Sequence, residues 1–585
     1  MSSEQEPLNS SGTSYGAVEP APAVHTRGLQ RGLSAIQVQM IAIAGTIGTG
    51  LFLGTGKSLA EGGPASMLIC YTLVGAIVYV TLLLLGEMAT QYPVAGSFNA
   101  YAARFFSPSY AFALSWNYWF NDAVSVASDL IAAQLVLRFW TSSSYTWIVS
   151  ATFWLFLVGV NAIHVKAYGE LEYWLSFLKV ATVVMFIILG LLVNVGVNAE
   201  REVIGFSNWK IPGAPFVGGF GGFAKVFVTA SFAFGGTESL GITAGETANP
   251  TKNMPRVVKF VFWRIILFYL LSVLLIGLNV PWDYPNLSDK STATSPFTIV
   301  FKEAGSTFAA SFMNTVILTS VLSAGNHALF AGTRVLYGLA VTEPPQAPTI
   351  FSWTTSRGVP LPALLLTSSV SALCFGSSRV GNGVLWAWLQ NLVGVSNQVR
   401  GSQVALFSHF PTLSRDRLAF NRSGELAIQE SVAQPRALAV GSGIPRDMDL
   451  ALRPSLRGQT QPHPLEPFIS QTLISDRHGP DSDHWSGLSS RIPAALCSLT
   501  VMDLVQGWSS VIPKFSLVDF VSFYVEIPLM VAMYLVWAFA SRRSLADLVD
   551  VDCVDLDKDQ YVDDKSDDEV PESRGFWQSM YYWLA

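Results

Sequence analysis

Apolar positions in this chain gather into long runs, and about 20 apolar residues are what a helix needs to cross the hydrocarbon core of a bilayer. Such runs occupy residues 37–54, 66–90, 110–140, 146–163, 172–195, 223–244, 260–280, 308–339 and 361–375. A tenth begins near Val384 and loses its apolar character after Val399. A weak stretch at 492–512 contains Asp503, and a last run covers 517–540. In lipid, each backbone N–H and C=O must be paired within its own segment, so these runs form helices. The pattern predicts an all-α, polytopic membrane protein.

Composition supports this and excludes a soluble enzyme. Half of the 585 residues are apolar and 13% are charged, whereas a soluble domain carries about 25% charge. Mean hydropathy is +0.40. The formal charge of −6 is unevenly spread: residues 546–585 hold 12 acidic and 3 basic side chains, which leaves the rest near +3. Basic residues near the span ends number ten on one side and seven, Lys57 among them, on the other. That bias places the N-terminus inside. Cys70, Cys374, Cys497 and Cys553 have no paired spacing, which argues against a disulfide framework or a zinc site. No cofactor, metal or nucleic-acid partner is expected.

The ends and one internal stretch differ from the core. Residues 1–36 are polar and lack the apolar centre of a signal peptide, so a disordered cytoplasmic tail is expected. Residues 541–585 form an acidic cytoplasmic tail, in which Lys558 and Lys565 are possible ubiquitin acceptors. Between Arg400 and Arg491 lie ten arginines and no lysine, while the rest of the chain has 13 arginines and 12 lysines. Four of the seven histidines also fall there, and helical apolar periodicity is absent. A regulatory loop is one reading of residues 400–503. The favoured one is sequence never selected for this fold, such as a retained intron or a shifted frame. The core then spans 37–399, with 504–540 carrying the remainder of an eleventh helix and a twelfth.

The candidate chemistry lies in two weak points. Residues 45–50 read Gly-Thr-Ile-Gly-Thr-Gly, and residues 234–237 read Phe-Gly-Gly-Thr. Glycine destabilises a helix by about 1 kcal/mol relative to alanine. The two runs fall in the first and sixth spans, corresponding places if the first ten spans are two repeats of five. Paired interruptions of this kind point to a transporter binding site. Glycines for close helix packing are the alternative. A phosphate loop is discounted, because the Lys-Ser/Thr ending is missing. A broken helix bares N–H groups at one end and C=O groups at the other, with matching partial charges. Two breaks side by side therefore suit an amino acid backbone. Thr46, Gly48, Thr49 and Gly50 would serve the carboxylate end, and Phe232, Ala233, Phe234 and Gly235 the ammonium end.

Charged residues in mid-span are functional candidates. Asp122 and Asp129 share one helix face in the third span, Lys179 lies in the fifth, and Glu238 follows the second break. Lys179 is read as an ammonium standing in for a sodium ion, with a structural pairing as its alternative. Polarity focused at mid-membrane argues against a channel.

Further stretches carry a resemblance. They include GTIGTGLF at 45–52, GEMATQYPVAGSF at 86–98 and NAIHVKAYGELEYW at 161–174. FAFGGTESLGITAGETANPTKNMPR at 232–256, SAGNHALFAGTRVLYGLA at 323–340 and SFYVEIPLMVAMYLVW at 522–537 continue the order. The chain resembles the fungal-type amino acid permeases of the amino acid–polyamine–organocation superfamily. The resemblance implies a five-plus-five inverted repeat, nominally twelve transmembrane helices, and proton symport of amino acids across the plasma membrane with both termini cytoplasmic. It implies Phe232 as an aromatic gate, Asp129 as a side-chain contact, and Lys179 and Glu238 in ion coupling. It also implies ubiquitin-ligase machinery as a partner of the tail. In this chain the tenth and eleventh helices are disrupted. Broad specificity is expected. A cationic preference, a nutrient-sensing receptor and a nonfunctional product of an aberrant transcript remain as alternatives.

Overall fold

A computed structural model describes residues 40, 43, 45–92, 98–141, 146–163, 165–198, 200–244, 254, 257–258, 260–261, 263–285, 287, 295–342, 345–355, 357–398, 507–511, 515–542 and 549. The expected tail at 1–36, the segment at 400–503, most of 541–585, and Lys558 and Lys565 lie outside the described residues. Among the described residues every regular element is helical. Five helices are long and apolar enough to cross a membrane, or six if the bent pair near the C-terminal end counts as one.

The first apolar region forms α1 (residues 45–62) and α2 (residues 64–91), which meet at Gly63 with φ 79° and ψ 172°. Together they would make a rod of about 70 Å at 1.5 Å per residue, more than twice the roughly 30 Å of hydrocarbon available. The chain reverses instead. Helix α7 (Gly219–Ala233) approaches Gly62 through Gly222 and Val226, and approaches Gly50 through Ala233. It therefore runs antiparallel to α1. The Cys70 thiol donates to the Phe223 carbonyl, and Gly75 lies beside the Phe234 ring, so α7 runs parallel to α2. The two apolar segments are thus a hairpin, and Gly63 is its turn.

The other helices follow the predicted spans with shifted ends. These are α4 (Pro108–Leu137), α5 (Thr146–Ile163), α6 (Val165–Asn194), α9 (a π-helical turn Ile265–Leu270 running into Leu271–Asn279) and α11 (Thr307–Val341). They continue with α12 (Leu361–Ser371), α13 (residues 382–398), α14 (Leu517–Tyr524) and α15 (Glu526–Ala540). Starts are set by local chemistry. Ser107 caps α4 through the amide of Tyr110, with Pro108 at the first helical position, and Ser306 caps α11 through Ala309. Helix α4 sits at the centre, packed by α5, α11, α12 and α15. Helices α5 and α6 turn Trp147, Leu155, Trp174 and Ile188 outward. Those faces suit lipid, in which outward apolar side chains need no partner.

Three expectations are corrected. The first span does not stop at Gly54 but continues to residue 62, because Lys57 is not in an outer loop. Its ammonium turns inward to Gln390 Oε1 at 3.1 Å and Asn391 Oδ1 at 3.3 Å on α13. Two short amphipathic helices, α3 (Phe98–Phe105) and α10 (Pro296–Glu303), occupy stretches that the pattern leaves as loops, since eight residues are too few to stand out as an apolar run. The last span is two helices bent by 47° at Val525. There Glu526 is drawn inward and accepts a hydrogen bond from Asn117 Nδ2 at 2.7 Å.

Candidate functional site between two broken helices

The weak point of α1 is visible in the backbone. Ile47 and Gly48 leave the helix, and Gly50–Gly54 form a π-helical turn before ordinary α-helix resumes. A widened turn leaves carbonyls without their usual partners. One is claimed from outside: Ser295 Oγ donates to the Phe52 carbonyl at 2.6 Å. The second weak point is a full interruption. Helix α7 ends at Ala233, residues 234–238 turn, and a one-and-a-half-turn helix α8 (Ser239–Ala244) restarts the chain. Gly236 has φ 82°, open at no cost only to glycine.

The two breaks touch. A methyl group on Gly50 would overlap Ala233, and one on Gly236 would press on the carbonyl of Gly45. Tyr269 of α9 fastens them together. Its hydroxyl lies 2.8 Å from the Thr46 carbonyl and 3.0 Å from the Ala233 carbonyl, one on each broken helix. A hydroxyl has one proton, so the two acceptors share it. The Tyr269 ring stacks on Phe234 with centroids 4.3 Å apart, which fixes the hydroxyl in place.

Beside this junction lies a cavity whose empty space, about 580 Å³, includes a part open to solvent. Helix α1 contributes Thr46, Gly48, Thr49 and Gly50, and the second break contributes Phe232, Ala233 and Gly235. Helix α4 contributes Asp122 and Asp129, α11 contributes Ala324 and His327, and α13 contributes Asn397. Thr49 Oγ1 donates to Asp129 Oδ1 at 2.6 Å, joining the break in α1 to α4. Most of the residues singled out from sequence are brought to this one cavity. Three are not. Phe234 turns away onto Tyr71 and Tyr269. Glu238, with the Thr237 hydroxyl at 3.5 Å, lines a second, more apolar cavity against α2. Lys179 is fully buried and does not line this cavity, but lies within electrostatic reach of the carboxylates of Glu172 and Asp129.

Sequence reasoning misses several residues here. Tyr269 lies in an apolar run and offers no signal of its own. His327 is buried at the cavity wall, with Nδ1 3.1 Å from the Tyr168 hydroxyl. Glu172 marks only the edge of a span in the apolar pattern, yet it is completely buried. It accepts hydrogen bonds from Ser323 Oγ and, at 2.6 Å, from Asn326 Nδ2, both on α11. Its signal is present in the spacing: seven residues from Lys179, it shares that helix face.

Known proteins share this arrangement of sequence. The family model described as "Amino acid permease" matches residues 37–399. A probable amino-acid permease of Schizosaccharomyces pombe is 39% identical over 550 residues, covering 90% of this chain and 95% of its own length. The lysine-specific permease of Escherichia coli is 45% identical over 386 residues, with 66% of this chain and 78% of the relative covered. A general amino-acid permease of Candida albicans is 42% identical over 372 residues, covering 63% of each.

Proposed function

The chain belongs to the amino acid permease family, and from that footing we propose that it imports amino acids across the plasma membrane by proton symport, with broad specificity and both termini in the cytoplasm. It is a transporter and performs no covalent chemistry on its cargo. The observation that carries this reading is the junction itself: two broken helices held in contact by Tyr269 beside one polar cavity. N–H groups of Gly48, Thr49 and Gly50 meet the substrate carboxylate there. Carbonyls of Phe232, Ala233 and Phe234 meet the ammonium, and the Phe232 ring covers the ligand. Lys179 takes the place a sodium ion would fill, and Glu238 takes part in coupling beyond the second break.

Similar permeases carry names that range from lysine-specific to general, so kinship leaves the side chain open. Asp129 is hydrogen-bonded by Thr49 and neighboured by Lys179, which supports breadth over a strict demand for cations. The test is uptake of a panel of radiolabelled amino acids by cells lacking their own permeases, with external pH and sodium varied separately. Uptake that rises as the medium is acidified and ignores sodium is expected. Uptake that follows sodium and not pH overturns the proton reading, and a panel without any accumulated amino acid overturns the permease reading.

A further inference from the structure

The wall that α11 gives to the cavity consists of the methyl groups of Ala324, Ala328 and Ala331 and one polar side chain, His327. His327 is 5% exposed. Its Nδ1 lies 3.1 Å from the Tyr168 hydroxyl, while its Nε2 has no hydrogen-bond partner among the described residues. The edge formed by Nε2 and Cδ2 turns to the break in α1, where a methyl group on Gly45 would overlap it. Asn121 of α4, on another wall of the cavity, is in a similar condition. Its Nδ2 donates to Asn397 Oδ1 at 3.4 Å, and its Oδ1 has no partner among the described residues.

The imidazole is held in this pose from its far side. Tyr168 stacks on Phe330 with centroids 4.0 Å apart, and the Arg334 guanidinium lies 3.9 Å over the same ring. Two groups this close to the centre of one ring must take its opposite faces. Phe330 and Arg334 follow His327 by three and seven residues, so the three share one face of α11. This column keeps Nδ1 with Tyr168 and leaves Nε2 directed at the junction of the two breaks.

We propose that His327 is a substrate contact that selects cargo by side chain, its Nε2 pairing with the hydroxyl or carboxamide of an uncharged polar amino acid. The inference rests on the permease reading and names the class of side chain favoured within its breadth. A buried polar atom without a partner costs free energy, and cargo that supplies the partner removes that cost. The edge is closed against Gly45, so cargo pairs with Nε2 by parting the two. A neutral imidazole has one nitrogen that donates and one that accepts. Hydroxyl and carboxamide groups suit either tautomer, because each can donate and accept. Valine and leucine can do neither, although they match threonine and asparagine in shape. Asn121 Oδ1 offers the same class of cargo a further acceptor.

Selectivity separates this role from a merely structural one, because a loosened wall lowers both members of an isosteric pair alike. The experiment uses cells lacking their own amino acid permeases, with the full chain at equal surface abundance and one fixed pH. Initial uptake below saturation is followed for threonine against valine and for asparagine against leucine. The wild type is expected to favour the polar member of each pair. His327→Leu is expected to lower both polar-to-apolar ratios by about three- to tenfold, the worth of one net hydrogen bond, with valine and leucine uptake kept or raised. His327→Gln, whose carboxamide reaches the place of Nε2, is expected to keep most of the preference. His327→Asn, whose shorter carboxamide reaches only the place of Nδ1, is expected to lose it, and carries the test if His327→Leu does not fold.

The proposal is overturned if the folded variants keep both wild-type ratios, or if the polar and apolar members fall together. A wild type that accumulates amino acids with no difference inside either pair also overturns it and leaves the permease reading standing. Accumulation of no amino acid at all overturns the permease reading itself.

Discussion

Tyr269 is the residue on which the site most depends and the one least legible from sequence. Its hydroxyl reaches one carbonyl on each broken helix, contacts between positions 223 and 36 residues apart that no local pattern encodes. Removing the hydroxyl leaves two buried acceptors without it, and each unsatisfied buried group costs about 1–3 kcal/mol. Tyr269→Phe keeps the stack on Phe234. It is therefore expected to remain at the membrane with its melting temperature a few degrees lower, and to lose uptake by about tenfold or more, since 1.4 kcal/mol is about a factor of ten. Uptake kinetics beside a melting curve of the purified variant check this. The glycines are readable for the opposite reason. A helix interior tolerates few of them, so Gly45, Gly48 and Gly50 mark a candidate break, and the matching run at 234–237 weighs it against close helix packing. The buried charges fall between these cases. Asp129 and Lys179 are conspicuous in apolar surroundings. Glu172 gains meaning only when its spacing to Lys179 is combined with the donors of α11, which lie 151 and 154 residues away.

At the scale of elements, apolar runs locate helices well and joints poorly. The first two runs mark separate spans correctly, yet they leave the joint eleven residues wide, across 55–65. Lys57 and Glu61 look like loop residues, whereas Lys57 is half-buried and its ammonium is bound by α13. The real joint is a single residue. Gly63 at φ 79° and ψ 172° is in a region that is essentially glycine-only, with a cost of about 1–3 kcal/mol for any other residue. A methyl group there would also strike the carbonyl of Pro215. Gly63→Ala is expected to destabilise the hairpin and, through it, the packing of α7 against both its arms. The measurement is the yield of folded protein and its melting temperature, set against Gly159→Ala. A methyl group on Gly159 would meet nothing within 4 Å, and this glycine lies inside a regular helix. That change should be neutral or mildly stabilising. Equal behaviour of the two variants would show that the turn at Gly63 does not constrain the chain.

For the molecule as a whole, the question is what residues 400–503 are doing in a permease. Family likeness, as matched by the family model, runs to residue 399. The match to the Schizosaccharomyces pombe permease reaches further: covering 90% of 585 residues, it extends past residue 517, where α14 begins, whichever end it starts from. The described residues agree with an intact far side. Trp508 packs edge-on against Phe220 at the start of α7, Phe523 joins Val228 and Val395 in one apolar cluster, and Trp537 stacks on Phe112 of α4 at 4.2 Å. The last span therefore has a specific seat in the bundle, while the arginine-rich stretch between shows no apolar run fit for lipid. We read that stretch as sequence the fold does not use. Two measurements bear on it. Sequencing the transcript across the codons for Gln398 to Leu504 is expected to reveal a spliced form that replaces the stretch with a continuous apolar run of about 20 residues. Mass spectrometry of the protein isolated from membranes is expected to find peptides from 37–398 and 515–540 but none ending at Arg436 or Arg457. Recovery of those arginine-ended peptides in equal abundance with the rest would mean that the segment is carried by the working protein. The stretch would then be a cytoplasmic loop to be explained by regulation.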